Sequence, residues 1–117
     1  LRPSKVVSAG ARLRPSKVVI ASYPREAWTL GLPGEAALEI ILAGADSVVT
    51  VSEKEIRRAM KYYYIDTHNV AEGAAAAPLA ALLKEQEHPV NKIGEKIGLV
   101  HSGGNTDMGL LKSVLME

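Results

Sequence analysis

Near the end of the chain, Ser102-Gly103-Gly104-Asn105 places a hydroxyl, two glycines and a carboxamide directly behind the apolar run Lys96-Ile97-Gly98-Leu99-Val100-His101. The run has the length and character of a buried strand, and the glycines stop it sharply. Residues 106–116 then read as a helix. A strand, a small-residue turn and a helix form the unit with which α/β folds bring backbone and a hydroxyl close to a ligand. A Gly-Gly pair behind a strand can equally do no more than turn the chain. A second group with chemical potential is the Glu72 carboxylate, at the head of the alanine-rich segment Gly73-Ala74-Ala75-Ala76-Ala77-Pro78. There it can serve as partner to a helix dipole or line a pocket.

Other chemistries find no support. His68, His88 and His101 are scattered without metal-ligand spacing, so no metal site is expected. No GxxxxGK[ST] or GxGxxG phosphate loop is present, and no serine sits in a GxSxG elbow. Ser4-Lys5 and Ser16-Lys17 are adjacent pairs, but Lys17 leads straight into a strand and reads as its solvated start.

The elements that must position these groups follow from periodicity. Lys17 to Ser22 is a β-branched strand behind Pro15, and Tyr23-Pro24 ends it. Trp28 reads as a packing anchor on a loop. Residues 34–43 form a helix with Ala37, Leu38, Ile41 and Leu42 on its apolar side, ending at Gly44. Ser47 to Val51 is a second strand. Ser52-Glu53-Lys54-Glu55 is a capping box, opening a helix to about Asp66 with Ile56, Ala59, Met60, Tyr63 and Tyr64 on one stripe. The triple tyrosine 62–64 is read as core packing with hydroxyls near the edge. After the break Thr67-His68-Asn69, a helix spans 70–85, with Pro78 in its first turn or kinking it. Residues 86–95 are a surface loop. In the last helix, Met108, Leu111 and Leu115 share the apolar face. The order β-α-β-α-α-β-α predicts an α/β fold: three layers, a mostly parallel sheet with helices on both faces.

The totals agree. The 117 residues suffice for one domain with a limited core. A net charge of +1 argues against nucleic acid as partner, and there is no cysteine. No stretch approaches the ~18 apolar residues of a membrane span, and no signal peptide is visible, so a cytoplasmic location is expected. Leu1-Arg2-Pro3-Ser4-Lys5-Val6-Val7 recurs as Leu13-Arg14-Pro15-Ser16-Lys17-Val18-Val19. Residues 1–12 are therefore expected to be a duplicated, poorly ordered leader, and 13–117 the domain proper.

Three blocks taken together resemble a known family: Ser47-Val48-Val49-Thr50-Val51-Ser52-Glu53-Lys54-Glu55-Ile56; the stretch from Thr67-His68-Asn69 through Glu72-Gly73 and the alanines to Leu83; and Gly98-Leu99-Val100-His101-Ser102-Gly103-Gly104-Asn105. They resemble, in order and spacing, the C-terminal part of the catalytic domain of threonine/serine dehydratases, which are fold-type II, tryptophan synthase β-like enzymes using pyridoxal 5'-phosphate. The resemblance covers residues 17–116 and implies part of the large domain of such an enzyme. It implies a β-elimination that gives a 2-oxo acid and ammonia from a small amino acid, in a homo-oligomer. It implies that the Ser102 hydroxyl bonds the cofactor's pyridine nitrogen, that Gly103 and Gly104 let the backbone come close, and that Glu72 and Asn105 line the pocket, Asn105 holding the turn. The family's Schiff-base lysine, substrate-carboxylate loop and glycine-rich phosphate loop find no match, so no catalytic residue is assigned and this chain alone is expected to be inactive. Ala74 stands where the family usually has glycine. The alternative is a non-catalytic, truncated α/β domain that self-associates or binds a partner.

Overall fold

The computed structural model describes residues 19–22, 35–87 and 96–117. Residues 1–12, expected to be a leader, together with Lys17, Trp28 and most of the expected loop 86–95, lie outside the described residues. Two strands, β1 (Val19–Ser22) and β2 (Ser47–Thr50), pair in parallel with Val19 opposite Ser47 and Ser22 opposite Thr50. Helix α1 (Glu35–Gly44) lies between them in the chain. Helices α2 (Glu53–Thr67), α3 (Gly73–Glu87) and α4 (Met108–Met116) follow. A parallel strand pair with intervening helix belongs to the α/β class, although helix predominates among the described residues.

Helix α3 packs on β1, α2 packs on α3, and α4 packs on α2. The core is built from Val49 and Val51, from Ile56, Ala59 and Met60 of α2, from Ala75, Ala76, Ala77, Ala80 and Ala81 of α3, and from Val114 of α4. Alanines on consecutive turns of α3 let it approach both neighbours closely. Pro78 lies inside α3, beyond the first turn. It removes one helical hydrogen bond, that to the carbonyl of the exposed Ala74.

Several expectations are corrected. Residues 96–101 are not a strand: they are irregular, exposed, and a Cβ on Gly98 would meet nothing within 4 Å. A strand needs a neighbour for its backbone groups, and none lies beside it among the described residues. Helix α1 has no buried residue, and Leu42 is 74% exposed. Its apolar side therefore covers no sheet face among the described residues, so helices on both faces are not seen there. Along β2, Val49 is buried while Val48 is 56% exposed, as expected of a pair covered on one side. Tyr64 is exposed at the edge of the α2 stripe. In α4 the buried residues are Leu111 and Val114, whereas Met108 is 74% exposed. The segment 70–72 precedes α3 instead of opening it, which matters for the site.

Candidate functional site

Helix α2 is fixed at both ends. At its start the Ser52 amide donates to Glu55 Oε2 at 2.6 Å, and the Glu55 amide donates to Ser52 Oγ at 3.3 Å, completing the capping box. Lys84 of α3 donates to the Thr50 carbonyl at 2.8 Å and pairs with Glu55 at 3.5 Å, tying α3 to the strand end and the helix start. Burial pushes the Glu55 carboxyl up, but the Ser52 amide and hydroxyl and the Lys84 ammonium outweigh it and hold it below the ordinary carboxylate range.

At its far end α2 stops because His68 turns left-handed, with φ of 56°. Its amide donates to the Tyr63 and Tyr64 carbonyls. The Thr67 hydroxyl donates to the Tyr63 carbonyl at 2.6 Å, and the Asn69 carboxamide donates to the Thr67 carbonyl at 3.0 Å. This cap reverses the chain and delivers Val70, Ala71 and Glu72 to the start of α3, where the Glu72 carbonyl accepts from Ala76 at 2.9 Å.

Against this segment lies the turn that the sequence singles out. The Glu72 amide donates to the Gly103 carbonyl at 3.1 Å. The Thr106 hydroxyl donates to the Ala71 carbonyl at 3.2 Å across 35 residues of chain. A Cβ on Gly103 would meet Glu72 Oε1 at 3.0 Å, and a Cβ on Gly104 would meet the Val70 carbonyl oxygen at 2.5 Å. The glycines are thus needed for close approach of two loops, with no positive φ at either. Within the turn the Thr106 amide donates to the Gly104 carbonyl at 2.9 Å, and Asp107 then caps α4 by accepting from the Leu110 amide at 3.0 Å.

The residue before the turn is held differently. The His101 ring meets the Tyr63 ring edge-on, with centroids 5.1 Å apart and planes at 85°. Tyr63 packs against the core, and burial pushes its phenol up. Its neighbours act elsewhere: Tyr62 lies under Arg58, 5.4 Å from ring centre to guanidinium, and Arg58 reaches on to Glu87 at 2.7 Å. Helix α4 is latched to α2 through Arg57, which donates to Ser113 Oγ at 2.8 Å and to the Glu117 carboxylate. The hydrogen bond to Glu117 raises the Arg57 pKa, and that same bond lowers that of Glu117.

The structure therefore brings Glu72, Gly103 and Gly104 together, with Ser102 next in the chain and exposed. Among the described residues the Ser102 hydroxyl has no hydrogen-bond partner. Asn105 is exposed and its side chain makes no hydrogen bond among the described residues. The expectation that Asn105 holds the turn is corrected: Thr106 and the Glu72 amide do so. Thr106, Val70 and Tyr63 were not visible as site residues in the sequence. A hydroxyl just before a helix cap was the one signal pointing to Thr106. No group of three or more potential metal ligands occurs among the described residues, and no helix among them is long and apolar enough to cross a membrane.

A family model described as pyridoxal-phosphate dependent enzyme matches residues 3–103. Serine racemase of Dictyostelium discoideum is 37% identical over 82 residues, covering 70% of this chain and 25% of that protein. L-threonine ammonia-lyase of Thermotoga maritima is 32% identical over 83 residues, covering 71% and 20%. Among solved structures, a threonine deaminase from T.th. superposes with a TM-score of 0.56 at 32% identity, covering 63% of this chain and 26% of that one. The solved Dictyostelium discoideum serine racemase gives 0.58 at 39%, covering 64% and 24%. The chain spans a fifth to a quarter of the length of these curated relatives.

Proposed function

From the premise that this chain belongs to the pyridoxal-phosphate dependent enzyme family, we propose that it supplies one wall of the cofactor site of a threonine/serine dehydratase, an ammonia-lyase releasing a 2-oxo acid and ammonia. The observation that carries this reading is the Ser102 hydroxyl, exposed and without a partner among the described residues, beside two glycines packed against Val70 and Glu72. The glycine side of the turn is filled by its own chain, so the hydroxyl is the group left for a ligand.

The residues fit one edge of the cofactor. A neutral hydroxyl can donate to or accept from a pyridine nitrogen without holding a proton on it as a carboxylate would. Pyridoxal phosphate, when bound, supplies an electron sink for bonds at the α-carbon of an amino acid. In this chain Ser102 would contact the ring nitrogen, Gly103 and Gly104 would give the backbone its close approach, and Glu72 and Asn105 would border the pocket. Residues 13–117 act as part of a catalytic domain in which β1 and β2 belong to a wider parallel sheet with helices on both faces. Residues 1–12 are a leader. The lysine and phosphate loop of such an enzyme have no counterpart in this sequence, so these 117 residues are not expected to turn over threonine unaided. A cytoplasmic, homo-oligomeric enzyme acting on a small amino acid completes the reading.

The test is titration of the chain with pyridoxamine 5'-phosphate, which needs no lysine for attachment, followed by its own fluorescence. Saturable binding weakened by Ser102→Ala is the expected result. Binding that Ser102→Ala leaves unchanged removes the assignment of Ser102.

One observation favours a second reading, a non-catalytic domain that self-associates: Leu42, Val100, Met108 and Met116 are each about three-quarters exposed. Light scattering tests the association, and the pyridoxamine 5'-phosphate titration separates the two readings. A monomer at all concentrations counts against association.

A further inference from the structure

We propose that Tyr63 is a positioning residue for Ser102, acting through His101, an inference that rests on the reading of Ser102 given above. Ser102 is flanked by two unlike anchors. Behind it, Gly103 and Thr106 are bonded to Glu72 and Ala71. Ahead of it, residues 96–100 are exposed, and a side chain on Gly98 would begin with nothing within 4 Å. On that side the ring of His101 is set edge-on against the ring of Tyr63, 5.1 Å between centroids.

Tyr63 is suited to this task by where it stands. It lies in the last turns of α2 and packs against the buried cluster of Ile56, Ala59 and Met60. Its carbonyl is engaged by Thr67, His68 and Asn69, the cap that delivers Glu72 to the opposite anchor. One residue thus touches both approaches to the turn: its ring meets the segment entering Ser102, and its carbonyl holds the loop that leads to Glu72. Tyr62 is committed to Arg58 and Tyr64 is exposed, so within the tyrosine run this role falls to Tyr63 alone. An aromatic pair of this geometry contributes ~0.5–1.5 kcal/mol, equivalent to about two- to tenfold in an equilibrium. Loss of the pair releases the entry side of the turn and lets Ser102 move relative to Glu72.

The experiment uses the isotopically labelled 117-residue chain with Tyr63→Phe, Tyr63→Leu and His101→Leu. It reads the nuclear magnetic resonance positions of the Ser102, Gly103 and Gly104 amides, and separately the affinity for pyridoxamine 5'-phosphate. Tyr63→Leu and His101→Leu are expected to shift the three amides and weaken binding about two- to tenfold, while Tyr63→Phe, which keeps the ring, retains both. His101 is exposed, so its replacement probes the contact without a core cavity. Amides that stay at their native positions in both leucine variants overturn the proposal. Failure of the Ser102 reading has a different signature: Ser102→Ala leaves binding unchanged, while the amide shifts still report on Tyr63.

Discussion

Glu72 and Gly103 meet twice. The amide of one donates to the carbonyl of the other at 3.1 Å, and the carboxylate of Glu72 lies 3.0 Å from where a side chain on Gly103 would begin. The backbone bond sets the height of the turn, and the side chain fills the space above it. Gly103→Ala is therefore expected to cost about 1 kcal/mol, since the obstacle is the far end of a flexible side chain. Glu72→Ala in that background should recover most of it. Gly104→Ala meets a backbone oxygen that cannot swing away, and should cost more, about 2–3 kcal/mol, with no rescue from position 72. Urea unfolding of the two glycine variants, each with and without Glu72→Ala, checks the order.

Thr106 joins the two loops through one hydroxyl. Thr106→Val keeps the shape and removes the bond to the Ala71 carbonyl, with an expected loss of about 1 kcal/mol. Hydrogen exchange should localise the effect: the Glu72 amide, which donates to Gly103, exchanges faster, while α2 amides keep their protection.

The capping box predicts a pH dependence. In the folded chain the Glu55 carboxyl is held below its ordinary value of 4.5. The unfolded chain therefore binds that proton more readily, and the stabilisation is complete above the ordinary carboxylate range and lost as pH falls through it. Glu55→Gln should be less stable than the native chain near neutrality, and the gap should narrow on acidification toward pH 3. Ser52→Ala should cost about 1 kcal/mol near neutrality.

His68 occupies a left-handed conformation that is strained for a residue with a side chain. His68→Gly is expected to stabilise the chain by about 0.5–1 kcal/mol, raising the thermal midpoint by about 4 °C. A lowered midpoint would mean that the imidazole makes a contact worth more than the strain.

Local features were legible in the residues themselves. Ser52 and Glu55 stand three residues apart and need only each other, so the cap is written in the sequence. Ile56, Ala59 and Met60 recur with the period of a helix, and the alanines of α3 announce close packing. The β-branched runs at β1 and β2 are strands. What depends on partners distant in the chain was not legible. Residues 96–101 carry the composition of a strand, yet pairing needs a neighbouring strand, which no local pattern supplies. Periodicity says that α4 has an apolar side but not which residues its neighbour covers; Arg57 of α2, holding Ser113 and Glu117, accompanies burial of Val114 and leaves Met108 outside. The site divides the same way. The residue types at Glu72 and at Ser102-Gly103-Gly104 marked them as chemistry-bearing. Only the tertiary fold decided that the two glycines face Val70 and Glu72, that Thr106 and not Asn105 secures the turn, and that one tyrosine of three reaches His101, because each of these is a contact between segments that nothing but the folded chain brings within reach.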